Sequence, residues 1–160
     1  MDKSLLRQQV LERLAEDLLR VEQAVQTAHE AATHEENIAE NKYDTLGLEA
    51  AYLATGQARR ADAIRQAIVS WRSFSPALYN PSQGIQLGAL IVLVDADDKQ
   101  QRLFIGPIGG NMTLSCDGEL TQVISSQAPL VRALLGKCEG DDVSLEVASV
   151  RREFEVLKVY

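Results

Sequence analysis

Between residues 30 and 49, six carboxylates, Glu30, Glu35, Glu36, Glu40, Asp44 and Glu49, stand against a single cation, Lys42. Charge runs commonly do no more than solvate a surface, and this cluster admits that reading. Its density exceeds what solvation needs. It also fits a projection that carries carboxylates to a place a globular surface cannot reach. Glu36 and Glu40 are four apart and share a face wherever that stretch is helical. Other chemistry finds little support. His29 and His34 are five apart, not the i, i+4 pair of a helical metal site. Ser115, Ser125 and Ser126 have no histidine pattern that would make them nucleophiles. Gly109-Gly110 lacks the strand-to-helix context of a phosphate loop and reads as a turn. Cys116 and Cys138 lie far apart with no CxxC spacing, which predicts free, partly buried thiols in a reducing compartment.

Positioning such a cluster requires a scaffold, and the flanking residues supply one. Leu11, Leu14, Leu18, Val21, Val25, Ala28 and Ala32 alternate by three and four, which keeps one seam of a helix facing a partner helix. After the acids the spacing returns in Ala50, Ala54, Gln57, Ala61, Ile64, Ile68 and Trp71. The pattern predicts an antiparallel helical hairpin with a negative tip. Helix one is expected to begin near Ser4 as N-cap and to run to about residue 34. The connection falls within residues 35–48, where Asn37, Asn41, Asp44, Thr45 and Gly47 are turn and cap formers. Asp44 is placed to cap a helix that starts at Thr45. Seam residues shrink to alanine toward the tip, so the hairpin is expected to taper.

The period changes after Trp71. Residues 72–84 carry Pro76, Pro81, Gly84 and several polar turn formers, and read as a linker. Ala89–Asp95 is a dense apolar run suited to a buried strand, and Arg102–Ile105 pairs with it as a hairpin. Met112–Ser115 and Leu120–Ser125 are weaker strands. Pro129 opens a short helix over Leu130–Leu135, ended by Gly136. Val143, Leu145 and Val147 alternate, as do Phe154 and Val156, which predicts two further strands. The second half is thus a small antiparallel sheet with one helix, and the chain is α+β. The expected boundaries are a hairpin over 1–74, a linker over 75–84 and a sheet domain over 85–160. Trp71 and Phe74 are expected to pack at the hairpin base, and Arg132 and Lys137 to brace the short helix. Leu87, Leu103, Ile105 and Leu120 read as core, with an exposed apolar edge as the alternative.

Composition bounds the partners. The 160 residues carry a net charge of −7, with 46% hydrophobic and 24% charged residues. A general nucleic-acid binder, or an independent sequence-specific DNA binder, needs a Lys/Arg block that this chain lacks. A protein partner with a positive entrance suits the charge better. No stretch approaches the roughly 18 apolar residues that span a membrane, and MDKSLLRQQVLERL lacks the apolar core of a signal peptide. The expectation is a cytoplasmic protein without a membrane role.

Two segments then carry a family resemblance. Ala128-Pro-Leu-Val-Arg-Ala-Leu-Leu-Gly-Lys-Cys-Glu-Gly-Asp-Asp-Val143 resembles the "SP-x-x-R-x-L-x-GK-x-x-x-D-x-V" stretch of bacterial Gre transcript-cleavage factors. Gln86–Val94 and Arg152–Val159 are similar to the first and last strands of that domain. More loosely, Glu36-Asn-Ile-Ala-Glu-Asn41 resembles the family's coiled-coil tip, "G-D-L-K-E-N". Position by position, the tip Glu falls on Glu40, while Asn37 stands where the family has an Asp.

The resemblance implies an FKBP-like C-terminal domain at the rim of the RNA polymerase secondary channel. It also implies an acidic tip that helps the polymerase hydrolyse a backtracked transcript. The factor would be an accessory, not an enzyme, with only indirect contact to nascent RNA. It would have no cofactor of its own and would share Mg²⁺ with the polymerase. On this reading Glu40, Glu36 and Asn37 carry the activity, and Glu40 and Glu36 hold the ion. Asn41, Asp44, Pro129, Arg132, Gly136 and Lys137 would meet the polymerase. An amide at Asn37 loses a full charge, so a channel-occupying modulator without cleavage activity stays open. So does a coiled-coil adaptor unrelated to polymerase. A prolyl isomerase rests on fold analogy alone, and residues 84–160 offer only Phe104, Phe154 and Tyr160 as pocket aromatics.

Overall fold

The computed structural model describes residues 2–33, 46–116 and 118–160. Helix α1 runs over Lys3–Thr33 and helix α2 over Leu46–Ser73. The cap of α1 is Asp2, two residues earlier than expected. Its carboxylate accepts the Ser4 N–H at 2.9 Å and the Leu5 N–H at 3.4 Å. A carboxylate there also meets the positive end of the helix dipole, which places Ser4 inside the first turn. The seam is the least exposed face of both helices. Leu14, Val21, Ala28, Ala61, Ile68 and Trp71 are buried, and Leu11, Leu18, Val25, Ala50, Ala54, Gln57 and Ile64 are partly buried. Arg65 of α2 donates to Glu22 of α1 at 2.6 Å, across the antiparallel pair, and to Asp62 at 2.7 Å. Both carboxylates hold its guanidinium above the usual range.

The chain divides into two compact units. One comprises Met1–Leu11 with Ser70–Tyr160, and the other Glu12–Val69. The first unit contains a six-stranded sheet of β1 (Leu90–Asp95), β2 (Gln100–Gly106), β3 (Met112–Cys116), β4 (Glu119–Ser125), β5 (Asp142–Val147) and β6 (Val150–Val159). The order is β3-β4-β2-β1-β6-β5. The expectation of an antiparallel sheet holds for every pair but one. β2 and β4 run parallel, with Arg102 opposite Thr121 and Gly106 opposite Ser125. The chain leaves β2, skips one position, returns as β3 and turns back into the vacant place. That pairing joins residues with no local spacing in common, so strand periodicity carries no sign of it.

One face of the sheet holds the core. Ile91, Leu93, Leu103, Ile105, Val143, Phe154 and Val156 pack with Val131 and Leu134 of helix α3 (Pro129–Leu134). Leu103 and Ile105 are therefore core, whereas Leu87 and Leu120 are exposed. The other face carries Phe104, which meets Trp71 and Phe74 at centroid distances of 6.1 and 6.4 Å. Cys116 is buried, Cys138 is partly buried, and neither is in a disulfide.

Candidate functional site

Glu36, Asn37, Glu40, Asn41 and Asp44 lie outside the described residues, between the end of α1 and the start of α2. The flanking turns are described. At the end of α1, Glu30 accepts from Gln26 at 2.6 Å, and the Thr33 hydroxyl donates to the His29 carbonyl at 3.0 Å. At the start of α2, Glu49 is exposed in the first turn, where the positive helix end favours a carboxylate. Leu48, Tyr52 and Leu53 are exposed beside it, with Tyr52 at 70%. Sequence reasoning passed over Tyr52 and Leu53 because they fall off the seam set by Ala50 and Ala54. Among the described residues, no three His, Cys, Asp or Glu side chains cluster as a metal site would need.

The C-terminal candidates gather on and just after α3. Pro129 occupies the first turn, where its missing N–H costs nothing. Pro129, Arg132 and Gly136 are exposed, and Lys137 is partly buried. Bracing here comes from the backbone, not from the Arg132 and Lys137 side chains. The Ile85 N–H donates to the Lys137 carbonyl at 2.8 Å, and the Gly136 N–H to the Ile85 carbonyl at 2.9 Å. The Gly136 φ of +78° suits glycine, and a Cβ on Gly84 would lie 2.4 Å from the Gly136 oxygen. The two cationic side chains make no hydrogen bond or ion pair with any described residue, which leaves them available to a partner.

The first unit also ties the base of the helices to the sheet, through groups that spacing did not reveal. Arg7 donates to the Trp71 carbonyl at 2.9 Å and the Arg72 carbonyl at 2.6 Å, capping the open end of α2. Lys3 donates to the Ala77 carbonyl and, at 3.0 Å, to the Tyr160 carbonyl. Burial pushes the Lys3 ammonium below its usual range. The Trp71 indole N–H donates to the Ile108 carbonyl at 3.2 Å. Its ring lies where Cβ atoms on Gly106 and Gly110 would come within 2.2 and 2.7 Å. Gly110 thus serves a close approach, beyond the turn its neighbourhood predicted.

Comparison with known proteins meets this description at the sheet domain. Residues 80–160 match the family described as transcription elongation factor GreA/GreB, C-terminal. The transcription elongation factor GreA of Xanthomonas campestris pv. campestris is 31% identical over 77 residues, 47% of this chain and 44% of that protein. GreA of Sulfurovum sp. is 34% identical over 76 residues, 47% of this chain and 43% of that protein. The matched stretch thus spans less than half the length of these curated relatives. The crystal structure of GreA factor homolog 1 (Gfh1) of Thermus thermophilus is similar at 24% identity over 94% of both chains, with a TM-score of 0.38. On the match of residues 80–160, the chain belongs to the GreA/GreB family of transcription elongation factors.

Proposed function

We propose that this protein enters the secondary channel of RNA polymerase and promotes cleavage of the transcript in backtracked complexes. One observation carries the reading: the acid-rich segment 34–45 is set between two long antiparallel helices, in a chain whose residues 80–160 are a GreA/GreB domain. The helices are 31 and 28 residues long, on the order of 40 Å each at 1.5 Å per residue. Glu40 and Glu36 offer carboxylate oxygens and Asn37 an amide oxygen, an all-oxygen set that suits Mg²⁺. In two-metal phosphodiester hydrolysis such an ion activates water and neutralises developing charge. The residues' share is to bring negative oxygens to the polymerase centre, with Asn41 and Asp44 flanking them. Pro129, Arg132, Gly136 and Lys137 would hold the domain on the polymerase rim, in the cytoplasm where the polymerase works.

A specific residue favours a second reading. Asn37 supplies no charge, so the tip can occupy the channel without assembling the ion site and thereby inhibit. Backtracked complexes decide between the two. On the first reading, wild-type protein accelerates cleavage and Glu40→Ala loses about tenfold or more, a barrier change of about 1.4 kcal/mol. Binding without acceleration supports the second. Unchanged cleavage in both Glu40→Ala and Glu36→Ala removes these acids from the mechanism.

A further inference from the structure

We infer that the sheet domain carries a binding site for a small molecule that joins an oxyanion to an apolar or planar group. The site is a cavity of about 360 Å³ lined by Val92, Gln100, Arg102, Glu119, Lys158 and Tyr160, with Leu157 beside them. It goes beyond the polymerase reading and does not depend on it.

The register builds the floor. Val92 of β1 stands opposite Arg102 of β2 on one side and Lys158 of β6 on the other. Residues opposite one another on adjacent strands share a face, so two cationic side chains flank one apolar residue. Leu157 and the Tyr160 ring extend the apolar wall, and the Lys158 ammonium lies 5.1 Å from the centroid of that ring.

Charge gives the site its preference. Arg102 is only 8% exposed, and its ion-pair partner Glu119 is 64% exposed. The cation is thus built into the sheet, while the carboxylate reaches it from the surface. Among the lining side chains two cations stand against one acid, within a chain whose net charge is −7. A buried guanidinium is costly without an oxyanion, and its fork matches carboxylate or phosphate through two hydrogen bonds. Glu119 supplies that oxyanion from within the chain, and a ligand can take its place. The volume sits at the small-molecule end of ligand pockets, about 300–1,000 Å³.

Position separates this cavity from the candidates on α3. Arg102 pairs with Thr121 near one end of β4, and Gly106 with Ser125 at the other, just before Pro129. The two surfaces therefore lie toward opposite ends of the same strands.

The test uses the full chain, with phenyl phosphate as probe and inorganic phosphate and phenol as separate arms. Amide NMR shifts at Val92, Gln100, Leu157 and Lys158 report binding. Phenyl phosphate should saturate these shifts at millimolar concentration, about threefold or more tighter than either fragment. Lys158→Gln should weaken it about fivefold. Glu119→Gln removes the competing carboxylate, so it should tighten binding and enlarge the rise in melting temperature that phenyl phosphate causes. Both side chains are exposed at their tips, so these variants spare the core. Shifts that never saturate, equal affinity for inorganic phosphate, or an affinity indifferent to both substitutions would each overturn the proposal.

Discussion

The Trp71 indole occupies space that glycine alone leaves open. A Cβ on Gly106 would sit 2.2 Å from the ring, so Gly106→Ala forces ring or strand to move. The expected cost is about 1–3 kcal/mol, and about 3–5 kcal/mol for Trp71→Ala. Because both act on one contact, the double variant should cost clearly less than the sum. Urea denaturation of the four proteins measures this, and strict additivity would refute the contact. Lys3 makes a different statement at this scale. Burial holds its pKa below the usual 10.5, so between the two values the unfolded chain binds more protons than the folded one. Stability from this residue therefore rises with pH across that window. Wild type should gain on Lys3→Met as the pH rises through the lowered value toward 10.5. Denaturation midpoints at each pH check it, and a gain for the variant contradicts it.

Among the elements, the two helices were the most legible. A stripe repeating by three and four is a local property, and the residues named from it, Ala32 aside, are buried or partly buried. The cap was less legible, since Asp2 and Ser4 are both good caps and only the backbone decides which carboxylate or hydroxyl meets the free amides. Ala61 sits in the seam at 2% exposure. Ala61→Leu should overpack the pair and cost about 1–3 kcal/mol, measured by thermal unfolding. A variant as stable as wild type would mean the seam is looser than its burial indicates. Strand positions followed from apolar runs and alternation. The insertion of β4 between β3 and β2 did not, because neighbours in a sheet need not be neighbours in sequence.

For the whole molecule, charge and exposure frame the partner. A chain at −7 presents Arg132 as an exposed cation without a described partner, on the surface that the family resemblance assigns to polymerase. Arg132→Glu should lower affinity for core RNA polymerase about tenfold while leaving the melting temperature unchanged. Fluorescence anisotropy with labelled protein measures the first and calorimetry the second. Equal affinity would remove Arg132 from the interface.

What the sequence determined by itself is what repeats locally: two helices with one apolar face each, the acids between them, six strands, and the Pro129–Lys137 stretch that carries the family resemblance. Tertiary structure alone decided which distant residues meet. It set β2 beside β4, Trp71 on Gly106 and Gly110, Gly84 against Gly136, and Arg102 beside Lys158 across Val92. The physical reason is range. Periodicity reflects the geometry of one helix or strand, whereas these contacts join chain segments tens of residues apart that carry no shared spacing.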